Sequence, residues 1–164
     1  MCIRNYLQNR HVRFEVLLHR PAPSAARMAE TVHVPGRIVA KGVLVRAGES
    51  FVLAVLPSTH RIDLDRLAAT LGVDDVRIAT EPEVMAIYHD CERGALPPFG
   101  RLYGLSTIVD SALAGSAEIV FVGNSRHEGV RMRFRDYEAV EAPMRGRFAS
   151  MICPKRRVPH RKAG

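Results

Sequence analysis

Arg37-Ile38-Val39-Ala40-Lys41-Gly42-Val43-Leu44-Val45-Arg46 is apolar and rich in β-branched residues, and so is Phe51-Val52-Leu53-Ala54-Val55-Leu56. Val and Ile are stiff at χ1 and pack well on a pleated surface, so each run reads as a strand. Only Ala47-Gly48-Glu49-Ser50 separates them, and a glycine in so short a joint predicts a β-hairpin.

Working outward, residues 2–10 suit a short helix and His11 to Leu18 a strand ending at Pro21. Ser24 can cap a helix through Val32, bracketed by Pro23 and Pro35. Beyond the hairpin, Leu64, Leu67, Ala68 and Leu71 recur at helical spacing and Gly72 stops the run. Val76 to Ala79 reads as a strand. Thr80 with Glu83 forms a capping box for a helix that ends near Asp90, with Pro82 in its first turn. Cys91 to Gly100 is a loop; Ser106–Val109, Ala117–Val122 and Gly129–Phe134 are strands; Asp136 can cap a last helix that breaks near Pro143. Short strands outnumber the helices interspersed among them. The expected fold class is therefore α/β of the mixed α+β kind, with a largely antiparallel or mixed sheet and helices outside it, not a doubly wound parallel sheet.

At 164 residues the chain suits one domain with a real core. The first ten residues contain no apolar segment of a secretion signal, and the longest apolar run, Phe51 to Leu56, is too short to span a bilayer, so no membrane association is expected. Cys2, Cys91 and Cys153 are odd in number and contain no CxxC pair, which fits a reducing cytoplasm.

The net charge of +7 is unevenly spread. Residues 1–144 balance seventeen Lys and Arg against seventeen Asp and Glu, whereas 145–164 hold seven bases and no acid. The expected organisation is a body over 1–144 and a basic tail over 145–164, the tail either contacting a phosphate backbone or simply solvated. Arginine makes up 21 of the 24 basic residues, and Lys41 is the one lysine outside the tail. A compact ammonium fits a small pocket where a guanidinium does not, so Lys41 is either a site residue or an ordinary strand lysine snorkelling to water.

Gly94-Ala95-Leu96-Pro97-Pro98-Phe99-Gly100 packs two glycines and two prolines into seven residues. Such a backbone is stiff and can approach a ligand closely. Amides of Gly94, Ala95, Leu96, Phe99 or Gly100 could form an oxyanion hole, or the segment is a rigid surface turn. His89-Asp90-Cys91 holds metal-ligand residue types, but no second cluster has zinc spacing, so no metal is expected. His60 and His127 lie near turns, as acid–base groups or surface histidines. Cys91 reads as a nucleophile or, more simply, a small buried side chain. Gly123-Asn124-Ser125-Arg126-His127 is either a plain hairpin turn or a polar pocket edge. Gly-x-Gly-x-x-Gly, P-loop and Gly-x-Ser-x-Gly patterns are absent, which argues against dinucleotide enzymes, NTPases and α/β-hydrolases.

Together these segments resemble the YbaK / prolyl-tRNA-synthetase-associated editing-domain family. The resemblance runs over roughly residues 3–142: Met28-Ala29-Glu30, His33-Val34-Pro35-Gly36-Arg37, Val39-Ala40-Lys41, Phe51 to Pro57, His60-Arg61-Ile62-Asp63, Asp90-Cys91-Glu92, Gly94 to Gly100, Val109-Asp110 and Gly129 to Phe134. It implies a twisted, partly barrel-like mixed sheet surrounded by helices. It also implies hydrolysis, in trans, of the ester of a mischarged aminoacyl-tRNA carrying a small residue such as Ala, Ser, Cys or Thr. Lys41 matches the family's pocket lysine, and Gly94 to Pro98 match the loop that orients the aminoacyl carbonyl. The resemblance therefore implies Lys41, Gly94, Ala95 and Pro98 as catalytic residues, and Gly100, Asp110, Asn124, Ser125, His127 and His60 as substrate contacts. The 123–127 turn departs from the family's Gly-Thr-His or Gly-Asn-His, with the histidine one place later. Water is the expected nucleophile, helped by the tRNA's own ribose hydroxyl; no cofactor is expected. The expected partners are the tRNA acceptor end and an aminoacyl-tRNA synthetase. The rival readings are a catalytically idle tRNA- or synthetase-binding module and a hydrolase of small non-tRNA esters or amides.

Overall fold

The hairpin forms as the central pair of a larger sheet. In the computed structural model, which describes residues 1–153, the chain runs through α1 (Ile3–Asn9), β1 (Glu15–Leu18), α2 (Ala25–Thr31), β2 (Val39–Ala47), β3 (Ser50–Pro57), β4 (His60–Ile62), α3 (Leu64–Leu71) and β5 (Val76–Ile78). It continues through α4 (Glu81–Ile87), β6 (Ser106–Asp110), α5 (Ser111–Ala114), β7 (Glu118–Val122), β8 (Glu128–Arg133), α6 (Phe134–Glu141), β9 (Met144–Gly146) and β10 (Ala149–Met151).

Local chemistry sets the helix ends. Ser24 Oγ accepts from Arg27 N at 3.3 Å and Asp63 Oδ1 from Arg66 N at 3.1 Å, each satisfying a donor that the first helical turn leaves free. Gly72 closes α3 in the left-handed region at φ 67°. Thr80 and Glu83 make the expected capping box. Asp136, in contrast, caps nothing: α6 begins two residues earlier, at Phe134, with Arg133 as its N-cap.

The main sheet has the order β1-β8-β7-β2-β3-β6-β9, with β5 also paired to β2. β2–β7, β3–β6 and β6–β9 are parallel and the other pairs antiparallel, so the sheet is mixed. β4 and β10 form a separate two-stranded ladder. β3 is buried on both faces, which is why its sequence is a continuous apolar run. Leu53 and Val55 meet α1, α6 and Phe99 on one side; Val52, Ala54 and Leu56 meet Leu67 of α3 and Phe148 on the other. Met28 and Ala29 of α2 close a third cluster against Val39 and Val120.

Within 145–151, expected to open the tail, Arg145 and Gly146 belong to β9, Phe148 is buried in the core and Ala149–Met151 form β10, so the body extends past 144. Lys155, Arg156, Arg157, Arg161 and Lys162 of that tail lie outside the described residues.

Candidate functional site

β2 is flanked by different strands at its two ends. Away from β3, it pairs with β7 only at Val39–Ala40 and with β5 only at Val45–Ala47. The stretch between, Lys41 to Leu44, has no strand beside it on that edge. Ladder alternation decides which backbone groups face the gap. Ser58 N donates to Val39 O on the β3 side, whereas Leu44 O accepts from Ala79 N on the other. Gly42, in phase with Leu44, therefore turns its N–H and C=O into the gap.

A cavity of about 300 Å³ occupies this gap. Ala40 to Leu44 form its floor, Val122 of β7 one side, Ile78 of β5 with Ala79 after it the other side, and Gly94 and Leu96 of the loop its far wall. Val84 and Glu81 of α4 and Ala25 of α2 complete it. Lys41 is half-buried here, and among the described residues its ammonium has no hydrogen-bond or ion-pair partner. Burial pushes its amine below the ordinary lysine value of 10.5. Glu81 Oε1 instead pairs with Arg93 Nε at 2.9 Å, joining α4 to the residue before Gly94.

The loop is rigid because its own atoms are spoken for. Ala95 N donates to Glu92 O at 2.9 Å, Phe99 N to Pro97 O at 2.8 Å, and Gly100 N to Thr107 Oγ1 at 3.2 Å. Phe99 is fully buried against the rings of Tyr6, Phe121 and Tyr137. Burying such a ring stabilises by about 1.5–3 kcal/mol, an anchor that fixes the loop to the core. Tyr137 OH donates to Pro98 O at 2.9 Å beneath it. Among the described residues only Gly94 and Leu96 of the five candidate amides are left without an acceptor, and both line the cavity. Gly94 takes φ +82°, a left-handed conformation that suits glycine.

The structure thus brings Lys41 and Gly94 together and moves the other expected site residues elsewhere. Ala95 and Pro98 are buried supports of the loop, with the Ala95 amide already used. Gly100 sits where a Cβ would collide with Thr107 Oγ1, in a buried knot with Glu141. Asp110 is 2% exposed; its carboxylate caps α5 through Ala112 N and holds Phe148 N and Ala149 N at 2.8 and 2.9 Å, which leaves it committed to the fold. Asn124 ties α1 to the loop, accepting from Ile3 N at 2.7 Å and donating to Cys91 Sγ and Tyr103 OH at 3.4 Å. Ser125 Oγ accepts from His127 N within the turn, and His127 is exposed. His60 lies on β4, its Nδ1 bonded to Thr59 Oγ1 at 2.8 Å.

Cys91 is buried, and that burial raises its thiol pKa, so it is a packed thiol beside Tyr103 OH. Among the described residues no group of three His, Cys, Asp or Glu side chains could hold a metal ion. No described helix is long and apolar enough to cross a membrane. The residue that sequence reasoning passed over is Gly42. A glycine inside an apolar strand run, next to the body's lone lysine, was the available signal, since it marks a place where something approaches the backbone closely.

The profile of the aminoacyl-tRNA editing domain matches residues 19–140. The chain is 33% identical over 75 residues to the proline–tRNA ligase of Pelobacter propionicus, covering 46% of this chain and 13% of the ligase. It is 32% identical over 98 residues to that of Thiobacillus denitrificans, covering 59% of this chain and 17% of the ligase. The chain therefore spans less than a fifth of the curated relatives it matches. Among solved structures, a putative trans-editing enzyme for prolyl tRNA synthetase superposes with a TM-score of 0.79 at 20% identity, over 90% of this chain and 94% of that one. The hypothetical protein APE2540 superposes at 0.82 and 17% identity, over 90% and 99%.

Proposed function

Because this chain belongs to the aminoacyl-tRNA editing domain family, we propose that it hydrolyses the ester linking a wrong amino acid to tRNA. One observation carries the reading. Half-buried Lys41, whose ammonium has no partner among the described residues, and Gly94 and Leu96, whose amides have no acceptor among them, line a single small cavity from distant parts of the sequence. That set of donors suits an oxygen that gains negative charge during the reaction.

In the proposed step the aminoacyl end enters the cavity and its carbonyl oxygen meets Lys41 and the N–H groups of Gly94 and Leu96. A water oxygen attacks the carbonyl carbon; the bond from that carbon to the ribose oxygen breaks. One proton of the water passes to the departing ribose oxygen, helped by the neighbouring ribose hydroxyl, because among the described residues lining the cavity only Glu81 is a carboxylate or imidazole, and Glu81 is paired with Arg93. The protein's part is positioning and charge stabilisation.

A cavity of about 300 Å³ is at the small end of ligand sites. Its walls of Ala40, Val43, Ala79 and Val84 can exclude large side chains but separate single methylenes by only about 1–3 kcal/mol. The substrate is accordingly a size class, such as Ala, Ser, Cys or Thr esters. The similarity to proline–tRNA ligases makes proline-accepting tRNA the first carrier to test.

The test is a panel of mischarged tRNAs assayed with the native chain and Lys41→Ala. Deacylation of small-residue esters that vanishes in the variant supports the reading. Binding of tRNA without turnover points to an idle module, and turnover of free esters alone points to a small-ester hydrolase.

A further inference from the structure

A second, larger cavity of about 670 Å³ lies at the other end of β7. Arg10 and Arg13 reach it from the exit of α1, Arg101 from the end of the loop, and Arg133 from the junction of β8 and α6. Among the described residues none of these four lies within ion-pair distance of a carboxylate. The one acid in the lining, Asp136, faces Arg135 at 3.8 Å. By contrast Arg77, Arg93, Arg131 and Arg145 elsewhere on the surface are paired with Glu.

Two of the four are also held in place. The Arg10 guanidinium stacks 3.8 Å over the Tyr6 ring. Arg101 donates its backbone N–H to Glu141 Oε1 at 3.1 Å and its Nη1 to Val140 O at 3.4 Å. The turn bearing Arg10 and Arg13 is tight, with His11 N on Gln8 O at 2.9 Å and Val12 N on Leu7 O at 3.1 Å. Ordered guanidiniums without counter-ions present forked donors that match phosphate oxygens.

We infer that this cleft binds backbone phosphates of an RNA, placing Arg10, Arg13, Arg101 and Arg133 on successive phosphates. The inference rests on the editing reading and gives its substrate a second foothold in the folded body. The spacing fits. Val122 lines the first cavity, and Arg133 pairs across the ladder with Glu118 at the opposite end of β7. Four residues of strand at ~3.3 Å each put the two about 13 Å apart, or roughly four steps of a stacked strand at ~3.4 Å. The segment that walls the first cavity with Gly94 and Leu96 reaches the second with Arg101. An RNA 3′ end seated in the first cavity would thus run its own backbone toward the second.

The experiment compares the full chain with Arg13→Ala/Arg133→Ala, and with the control Arg20→Ala/Arg37→Ala, whose exposed arginines lie outside the cleft. Binding of uncharged proline-accepting tRNA is measured against salt, and hydrolysis of a 3′-aminoacyl adenosine ester, which has no phosphate, is measured in parallel. The cleft variant should bind tRNA more weakly at low salt. The slope of log affinity against log salt should fall in magnitude by about 2, one for each lost contact. Its ester hydrolysis should equal that of the native chain, and the control should keep the native slope. An unchanged slope in the cleft variant, or an equal loss in the control, overturns the inference and leaves the editing reading standing. Loss of slope in a chain that hydrolyses neither the charged tRNA nor the ester sinks the editing reading and keeps the cleft.

Discussion

The carbonyl oxygen of Leu96 stands 3.6 Å from the point that a Cβ on Gly42 would occupy. The Gly–Pro loop therefore rests against β2 at Gly42, and a side chain there would crowd Leu53, whose Cδ1 lies 3.2 Å from the same point, as well as the loop carbonyl. Gly42→Val should push the loop off its seat. Overpacking of this kind costs roughly 1–3 kcal/mol, to be read by urea unfolding. Deacylation should fall far more than tRNA affinity, because the variant disturbs the donors and not the phosphate cleft.

Lys41→Ala removes a charged donor from the cavity. Losing one such donor slows well-studied hydrolases by about 10²–10³-fold, and kcat should show a loss of that order on charged tRNA. Burial lowers the amine below 10.5, so the protonated form is lost at lower pH than for an exposed lysine. The rate above the spontaneous hydrolysis of the ester should decline on the alkaline side as that ammonium deprotonates. Lys41→Met removes an ammonium that has no partner among the described residues from a half-buried site and should raise the thermal midpoint while lowering turnover by the same order, the usual opposition between site and stability.

Gly94→Ala tests the loop backbone. The nearest atom to the added Cβ is Pro23 O at 3.9 Å, so there is room, and the penalty is torsional at φ +82°. A left-handed Ala costs about 1–2 kcal/mol. Relaxing that strain would reorient the Gly94 N–H, one of the proposed donors, so kcat should drop with KM little changed in steady-state deacylation.

Glu141 is 1% exposed, accepts from Thr107 Oγ1 and Arg101 N, and leaves its Oε2 without a partner among the described residues. Desolvation raises its pKa above 4.5, against the pull of those hydrogen bonds. The sign follows: a raised carboxyl favours the folded state most at pH below 4.5, and that contribution is lost as pH climbs through the folded value. Glu141→Gln should flatten the pH dependence of unfolding on that acid side. Glu141→Ala strands the Thr107 hydroxyl and the Arg101 amide and should cost about 1–3 kcal/mol at any pH, measurable by denaturant titration.

Much of the fold was legible because its signals are short-range. Ser24, Asp63, Gly72 and the Thr80–Glu83 pair mark helix ends through hydrogen bonds and torsions within three or four residues. The hairpin declared itself through two β-branched runs and the short glycine-bearing joint Ala47-Gly48-Glu49-Ser50, which the ladder narrows to a turn at Gly48-Glu49. α5, β4 and the strands after Pro143 did not, since each is three or four residues long and exists only because a distant partner receives it.

The site divides in the same way. Composition alone set Lys41 apart and made 94–100 a stiff loop, because residue identity and ring constraint need no partner. The family resemblance implied Asp110 as a substrate contact, whereas its carboxylate clamps Phe148 and Ala149, nearly forty positions away. Which of five loop amides stays free, where β7 and β5 leave β2 uncovered, and that four arginines from three regions share one cleft were settled only by tertiary structure. Sequence fixes what each residue can donate and how its own backbone bends. Pairings across a hundred residues are chosen by the packing of the whole core, and they alone decide which of those donors remain available.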